Sequence, residues 1–137
     1  MPKTGGCLCG GIRYEISGPL RPVIYCHCRQ CQKTSGHHVA ASSAPRDSIK
    51  ITGELRWYRS SETARRGFCP TCGGNLFWDG PGKNLSIMAG TLDDTAGLTA
   101  AGHIFVADKA AYLTLGDGLP QAKQNDPDLT TMVPAKN

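Results

Sequence analysis

Apolar and polar residues alternate over Ile12-Arg13-Tyr14-Glu15-Ile16. That period of two predicts a strand with one buried face. Ser17-Gly18-Pro19 breaks the pattern, and Val23-Ile24-Tyr25 predicts a second strand running into Cys26. Further short strands are predicted over 38–43, 49–51, 55–58, 75–78, 85–89 and 103–106, with turn clusters such as Pro45-Arg46-Asp47 and Asp79-Gly80-Pro81-Gly82 between them. Residues 32–36 read as a short helical turn or loop, 90–102 as loop, and 108–113 as one helical turn. No long amphipathic helix or internal repeat is visible. The expected class is mainly β, with several small antiparallel sheets. The expected organisation is one domain over residues 1–120 and a polar tail over 121–137, with a polar, Pro-dotted and mobile stretch from Gly116 onward.

Composition adds a constraint. The chain is 39% apolar and holds 17 glycines, so its core benefits from cross-links. No apolar run reaches the ~20 residues that cross a bilayer, and the opening residues show no apolar signal region. A cytoplasmic protein with no membrane association is expected. Seven cysteines in a reducing compartment point to metal ligation more than to disulfides. The formal charge of +4 counts thiols as neutral. Seven thiolates and two divalent ions together subtract three, leaving about +1. Nucleic acid is therefore not the expected partner, and oligomeric state is left open.

The cysteines fall into three groups: Cys7-x-Cys9, Cys26-x-Cys28-x-x-Cys31 and Cys69-x-x-Cys72. In extended chain, Cys26 and Cys28 share a face and His27 points the other way. A turn after Arg29 brings Cys31 back to the same point. Two divisions are compatible with the spacing. One joins Cys28 and Cys31 to Cys69 and Cys72, at 37 intervening residues. The other joins Cys7 and Cys9 to Cys69 and Cys72, leaving Cys26, Cys28 and Cys31 as a site with one open position. The second is preferred, because it keeps the local triad intact and gives each pair a short bite. Closed four-thiolate zinc is structural, whereas three protein ligands and an open position mark catalytic zinc.

These motifs carry a resemblance. The segments Gly6-Cys7-Leu8-Cys9-Gly10, Cys26-His27-Cys28-Arg29-Gln30-Cys31, Phe68-Cys69-Pro70-Thr71-Cys72-Gly73-Gly74 and His103-Ile104-Phe105-Val106-Ala107-Asp108-Lys109 resemble the glutathione-dependent formaldehyde-activating enzyme family, which includes centromere protein V. The resemblance implies a zinc β fold similar to that of the Rab exchange chaperones. It implies a structural zinc on Cys7, Cys9, Cys69 and Cys72, and a second zinc, taken as catalytic, on Cys26, Cys28 and Cys31. Gln32-Lys33 follows the triad where the family often has Arg-Lys, and Tyr112 stands where a Trp is common.

The expected activity is that of a zinc-dependent carbon–sulfur lyase acting on a glutathione adduct such as S-hydroxymethylglutathione. An acid–base group must reach the hydroxyl oxygen. His103 is the first candidate, followed by Asp108 and His27. Arg29, Arg65 and Arg66 could meet glutathione carboxylates but read as solvated surface. His37-His38 could extend the site. A non-catalytic zinc module that binds a protein or nucleic acid, and a thiol redox sensor, are the competing readings.

Overall fold

The structure is a computed structural model that describes residues 2–131. Its strands are β1 (Lys3–Gly6), β2 (Arg13–Ile16), β3 (Val23–Cys26), β4 (Val39–Pro45), β5 (Ile49–Thr52), β6 (Arg56–Arg59), β7 (Arg65–Phe68), β8 (Asn75–Asp79), β9 (Asn84–Met88) and β10 (Ala100–Ile104). Two short helices, α1 (Arg29–Ser35) and α2 (Pro127–Thr130), complete it. The mainly β class expected from the alternation is what forms. No described helix is long and apolar enough to cross a membrane.

The strands make two sheets. A three-stranded sheet runs β1-β2-β5, antiparallel throughout. A seven-stranded sheet runs β10-β3-β4-β9-β8-β7-β6. Its pairs are antiparallel except β10 with β3, which run parallel. The alternation in β2 buries Tyr14 and Ile16 and exposes Arg13 and Glu15. That inner face packs on Leu76, Phe77, Leu85 and Ile87 of the larger sheet. The Tyr14 and Phe77 rings meet edge to face at 5.4 Å, and the Tyr14 hydroxyl bonds Thr91 Oγ1 at 2.8 Å. A Cβ on Gly5 would strike the Tyr14 hydroxyl, so close packing over β1 requires glycine there.

Several elements differ from the sequence expectation. β1 has no apolar alternation, and β7 opens on two arginines; both form because a neighbouring strand offers them a ladder. β10 starts inside the expected loop and stops at Ile104. There Phe105 takes a left-handed conformation with φ of 56°, which ends the strand. The helical turn expected over 108–113 lies earlier, as a 3-10 turn over Val106–Asp108.

The expected mobile tail is docked as far as residue 131. The His103 amide donates to the Pro120 carbonyl at 2.9 Å, and the Ala122 amide donates to the His103 carbonyl at 2.9 Å. Leu129 of α2 is buried against Ile24 and Ile104. Arg21, itself buried, donates to the Thr130 and Ala41 carbonyls at 3.2 and 2.7 Å. The rest of the tail, 132–137, lies outside the described residues.

Candidate metal centres

The seven cysteines are all free of disulfides and gather into two groups. Cys7, Cys9, Cys69 and Cys72 place their sulfurs within 4.8 Å of one another, and Cys26, Cys28 and Cys31 do the same. This is the second of the two divisions weighed from the spacing.

The four-cysteine group joins one loop from each sheet. Cys7 and Cys9 lie in the turn from β1 to β2, and Cys69 and Cys72 in the turn from β7 to β8. Gly73, with φ of 76°, supplies the left-handed step that turns the second loop back. The sulfurs of Cys7 and Cys9 are 3.6 Å apart, and those of Cys9 and Cys69 are 3.7 Å apart. A tetrahedral ion with bonds of ~2.3 Å to sulfur requires sulfurs about 3.8 Å apart, so the spacing fits zinc. Backbone amides point at the thiolates: Ile12 to Cys7 at 3.3 Å, Gly11 to Cys9 at 3.4 Å, and Thr71 to Cys69 at 3.4 Å. Such outer hydrogen bonds fix ligand orientation and spread the negative charge.

The three-cysteine group sits where β3 hands over to α1. Cys28 is the N-cap of α1, its Sγ accepting the Cys31 amide at 3.4 Å. Cys28 and Cys31 therefore lie one helical turn apart, with Cys26 at the end of the strand. The expected turn after Arg29 is this helix, which begins at Arg29. Val39, Met88, Ala41 and Trp78 wall the cluster with apolar surface. Hydrogen bonds with Cys26, then with Cys31, pull Cys28 down to about 2. Hydrogen bonds with Cys28 and Cys31, then burial, push Cys26 up. Three thiols this close cannot all ionise unless a cation joins them. Among the described residues no fourth Cys, His, Asp or Glu ligand atom joins this group.

One arginine belongs to this site. Arg66 was expected as solvated surface, but it is only 4% exposed. Its Nη2 lies 3.8 Å from Cys31 Sγ and 3.4 Å from Gln30 Oε1. Its register partner in β8 is Trp78, which packs on the cysteine cluster. Arg65, next in sequence, faces outward, lies over the Trp57 ring and pairs with Asp79. Arg29 is exposed and bonds Gln32 within α1.

The histidines form a separate network. His103 pairs in register with Tyr25, and their rings stack at 4.8 Å. Tyr25 and Cys26 are successive strand residues and face opposite sides of the sheet. His103 therefore stands on the face away from Cys26. Both its nitrogens are engaged, Nδ1 with His27 Nε2 at 2.8 Å and Nε2 with Asp117 at 2.7 Å. An ionised Asp117 accepts from His103 Nε2–H, which leaves Nδ1 to accept from His27 Nε2–H. Burial, followed by His38 and His103, pushes His27 down to about 4. His37 and His38 continue the ring contacts, and the His37 ring bonds the Tyr112 hydroxyl at 2.6 Å. Asp108 is exposed, and its carbonyl accepts from Gln32 of α1 at 2.7 Å; the same Gln32 amide holds the His27 carbonyl at 2.7 Å. Asp117 and Tyr25 were missed because nothing local in the sequence links them to a histidine many residues away.

Comparison with known proteins gives a relative and a family. The chain is 31% identical over 80 residues to an uncharacterized lyase of Schizosaccharomyces pombe, an alignment covering 57% of this chain. The aligned part spans 58% of that relative's length. Residues 2–108 match the family described as glutathione-dependent formaldehyde-activating enzyme, a span that includes all seven cysteines and stops short of Asp117. On that match, the chain belongs to the glutathione-dependent formaldehyde-activating enzyme family.

Proposed function

We propose that the protein is a zinc-dependent carbon–sulfur lyase acting on an adduct of glutathione or a similar thiol, such as S-hydroxymethylglutathione. The observation that carries this reading is the three-cysteine group, which offers three sulfurs and no fourth protein ligand among the described residues. Thiolate donors in this number select zinc among the common divalent ions. Cys7, Cys9, Cys69 and Cys72 hold the structural ion, and Cys26, Cys28 and Cys31 hold the second. Bound there, zinc supplies Lewis acidity and lowers the pKa of a thiol that docks beside it.

The chain's own residues do the rest. In the cleavage direction the adduct loses its hydroxyl proton, the carbonyl of formaldehyde forms, and the carbon–sulfur electron pair returns to sulfur. No oxidant or reductant is involved. Val39, Met88 and Trp78 line the sulfurs with an apolar wall against which a thiol adduct would pack. Asp108 is the group retained for proton exchange, because it is exposed and its loop is fastened to α1 through Gln32. His103 is read as a positioning residue that holds His27, the residue between Cys26 and Cys28, on the far face of the sheet. A cytoplasmic, reducing location is part of the same reading, because thiols that serve as zinc ligands must stay reduced.

The test is a coupled assay with zinc-loaded protein, glutathione and formaldehyde. Adduct formation or cleavage is expected to accelerate well above the background reaction, and Asp108→Asn to slow it by about 10²-fold or more. Identical rates with and without protein, over a range of thiols, would remove the lyase reading.

A further inference from the structure

Arg66 carries a charge that no carboxylate among the described residues balances. It is 4% exposed and has no ion pair with Asp or Glu among the described residues. Its Nε–H is buried with no acceptor. A buried, unpaired guanidinium is costly, so an anion must offset it. The groups within reach of its Nη2 are the Cys31 sulfur and the neutral Gln30 amide. Register makes this placement part of the fold: Arg66 is fixed between Tyr58 of β6 and Trp78 of β8, on the face that Trp78 shares with the cysteines. At the four-cysteine group the hydrogen-bond donors to sulfur are backbone amides, and the nearby Arg13 is exposed and already paired with Asp93.

The charges of the two sites then differ in a useful way. Three thiolates and a divalent ion leave a net charge of minus one, which Arg66 cancels. A fourth thiolate arriving from solution would otherwise raise the site to minus two. We propose that Arg66 is the specificity-determining counter-cation of the three-cysteine site, placed there so that the fourth ligand can be an anionic sulfur rather than a neutral donor. This inference rests on the open-site reading above and adds the charge class of the ligand to it. Arg66 acts through the thiolates and the docking sulfur, not through glutathione's carboxylates. A small thiol without carboxylates should therefore feel it as strongly as glutathione does.

The experiment is calorimetric titration of zinc-loaded protein with glutathione, with 2-mercaptoethanol and with imidazole. In Arg66→Gln both thiols should bind at least tenfold more weakly, about 1.4 kcal/mol. Imidazole, a neutral ligand, should stay within twofold of the parent. Arg66→Lys keeps the charge and should recover most of the thiol affinity. If Arg66→Gln does not melt cooperatively, Arg66→Met takes its place and is judged by the same ratios. Thiol affinity unchanged in the neutral variant overturns the proposal. So does a loss confined to glutathione, which would make Arg66 a carboxylate reader, or an equal loss for imidazole, which would mean general damage. A parent that carries two zinc ions yet binds neither thiol overturns the open-site reading itself, and the inference falls with it.

Discussion

Replacing Cys69 with alanine will leave a chain that no longer melts cooperatively. Cys69 is 1% exposed, and its sulfur takes amide hydrogen bonds from Thr71 and Cys72 while lying 3.7 Å from Cys9. It therefore belongs at once to the β7–β8 loop and to the clasp that holds the β1–β2 loop. The two sheets share a core of modest size, built around Tyr14, Phe77 and Ile87. A structural zinc in a small domain contributes about 10–16 kcal/mol to folding. A domain of this kind has only about 5–15 kcal/mol of net stability. Losing one thiolate of four, and most of the ion's affinity with it, exceeds what the core alone can offset. Circular dichroism during a thermal ramp, with metal analysis of the same sample, checks this. A Cys69→Ala protein within about 2 kcal/mol of the parent would show that the clasp is incidental to the fold.

Cys28→Ser should have the opposite profile, with the fold kept and function lost. Cys28 caps α1 through its side chain. Serine is among the best N-caps, so the ~1 kcal/mol of capping is conserved. What disappears is one of three thiolates. Metal content should fall from two ions per chain to one, and the melting temperature should move by only a few degrees. Turnover should drop by about 10³-fold, as expected when a metal supplying several kcal/mol of transition-state stabilisation is removed. Loss of cooperative folding in this variant would move the three-cysteine group from chemistry to architecture. Full activity with one ion would assign the chemistry elsewhere.

The sequence carried the parts of this account that are local. The alternation through Ile12–Ile16 marked β2 and its buried face, and the two-residue spacing of Cys7 and Cys9 marked a tight bite. The cysteine triad was legible because all its ligands lie within six residues. What was not legible depends on partners far away in sequence. Lys3–Gly6 becomes a strand because β2 and the Tyr14 ring need glycine backbone beside them. Arg65 and Arg66 look alike in sequence, yet the register of β7 turns one toward Asp79 and solvent and the other into the cysteine cluster. The partners of His103 were not legible either: its register with Tyr25 sets it between His27 and Asp117. Asp117 and Leu129 belonged to a stretch whose polar, Pro-dotted composition suggested mobility. A few backbone bonds to β10 and one buried leucine are enough to dock it.

The most direct measurement is zinc per chain in freshly reduced, desalted protein, followed by stepwise chelation with activity and melting recorded at each step. The account predicts two ions. The first should leave readily and take turnover and thiol binding with it while the melt persists, and the second should leave only as the protein unfolds. Protein that contains no zinc, and whose melt is unchanged by strong chelation, would contradict it.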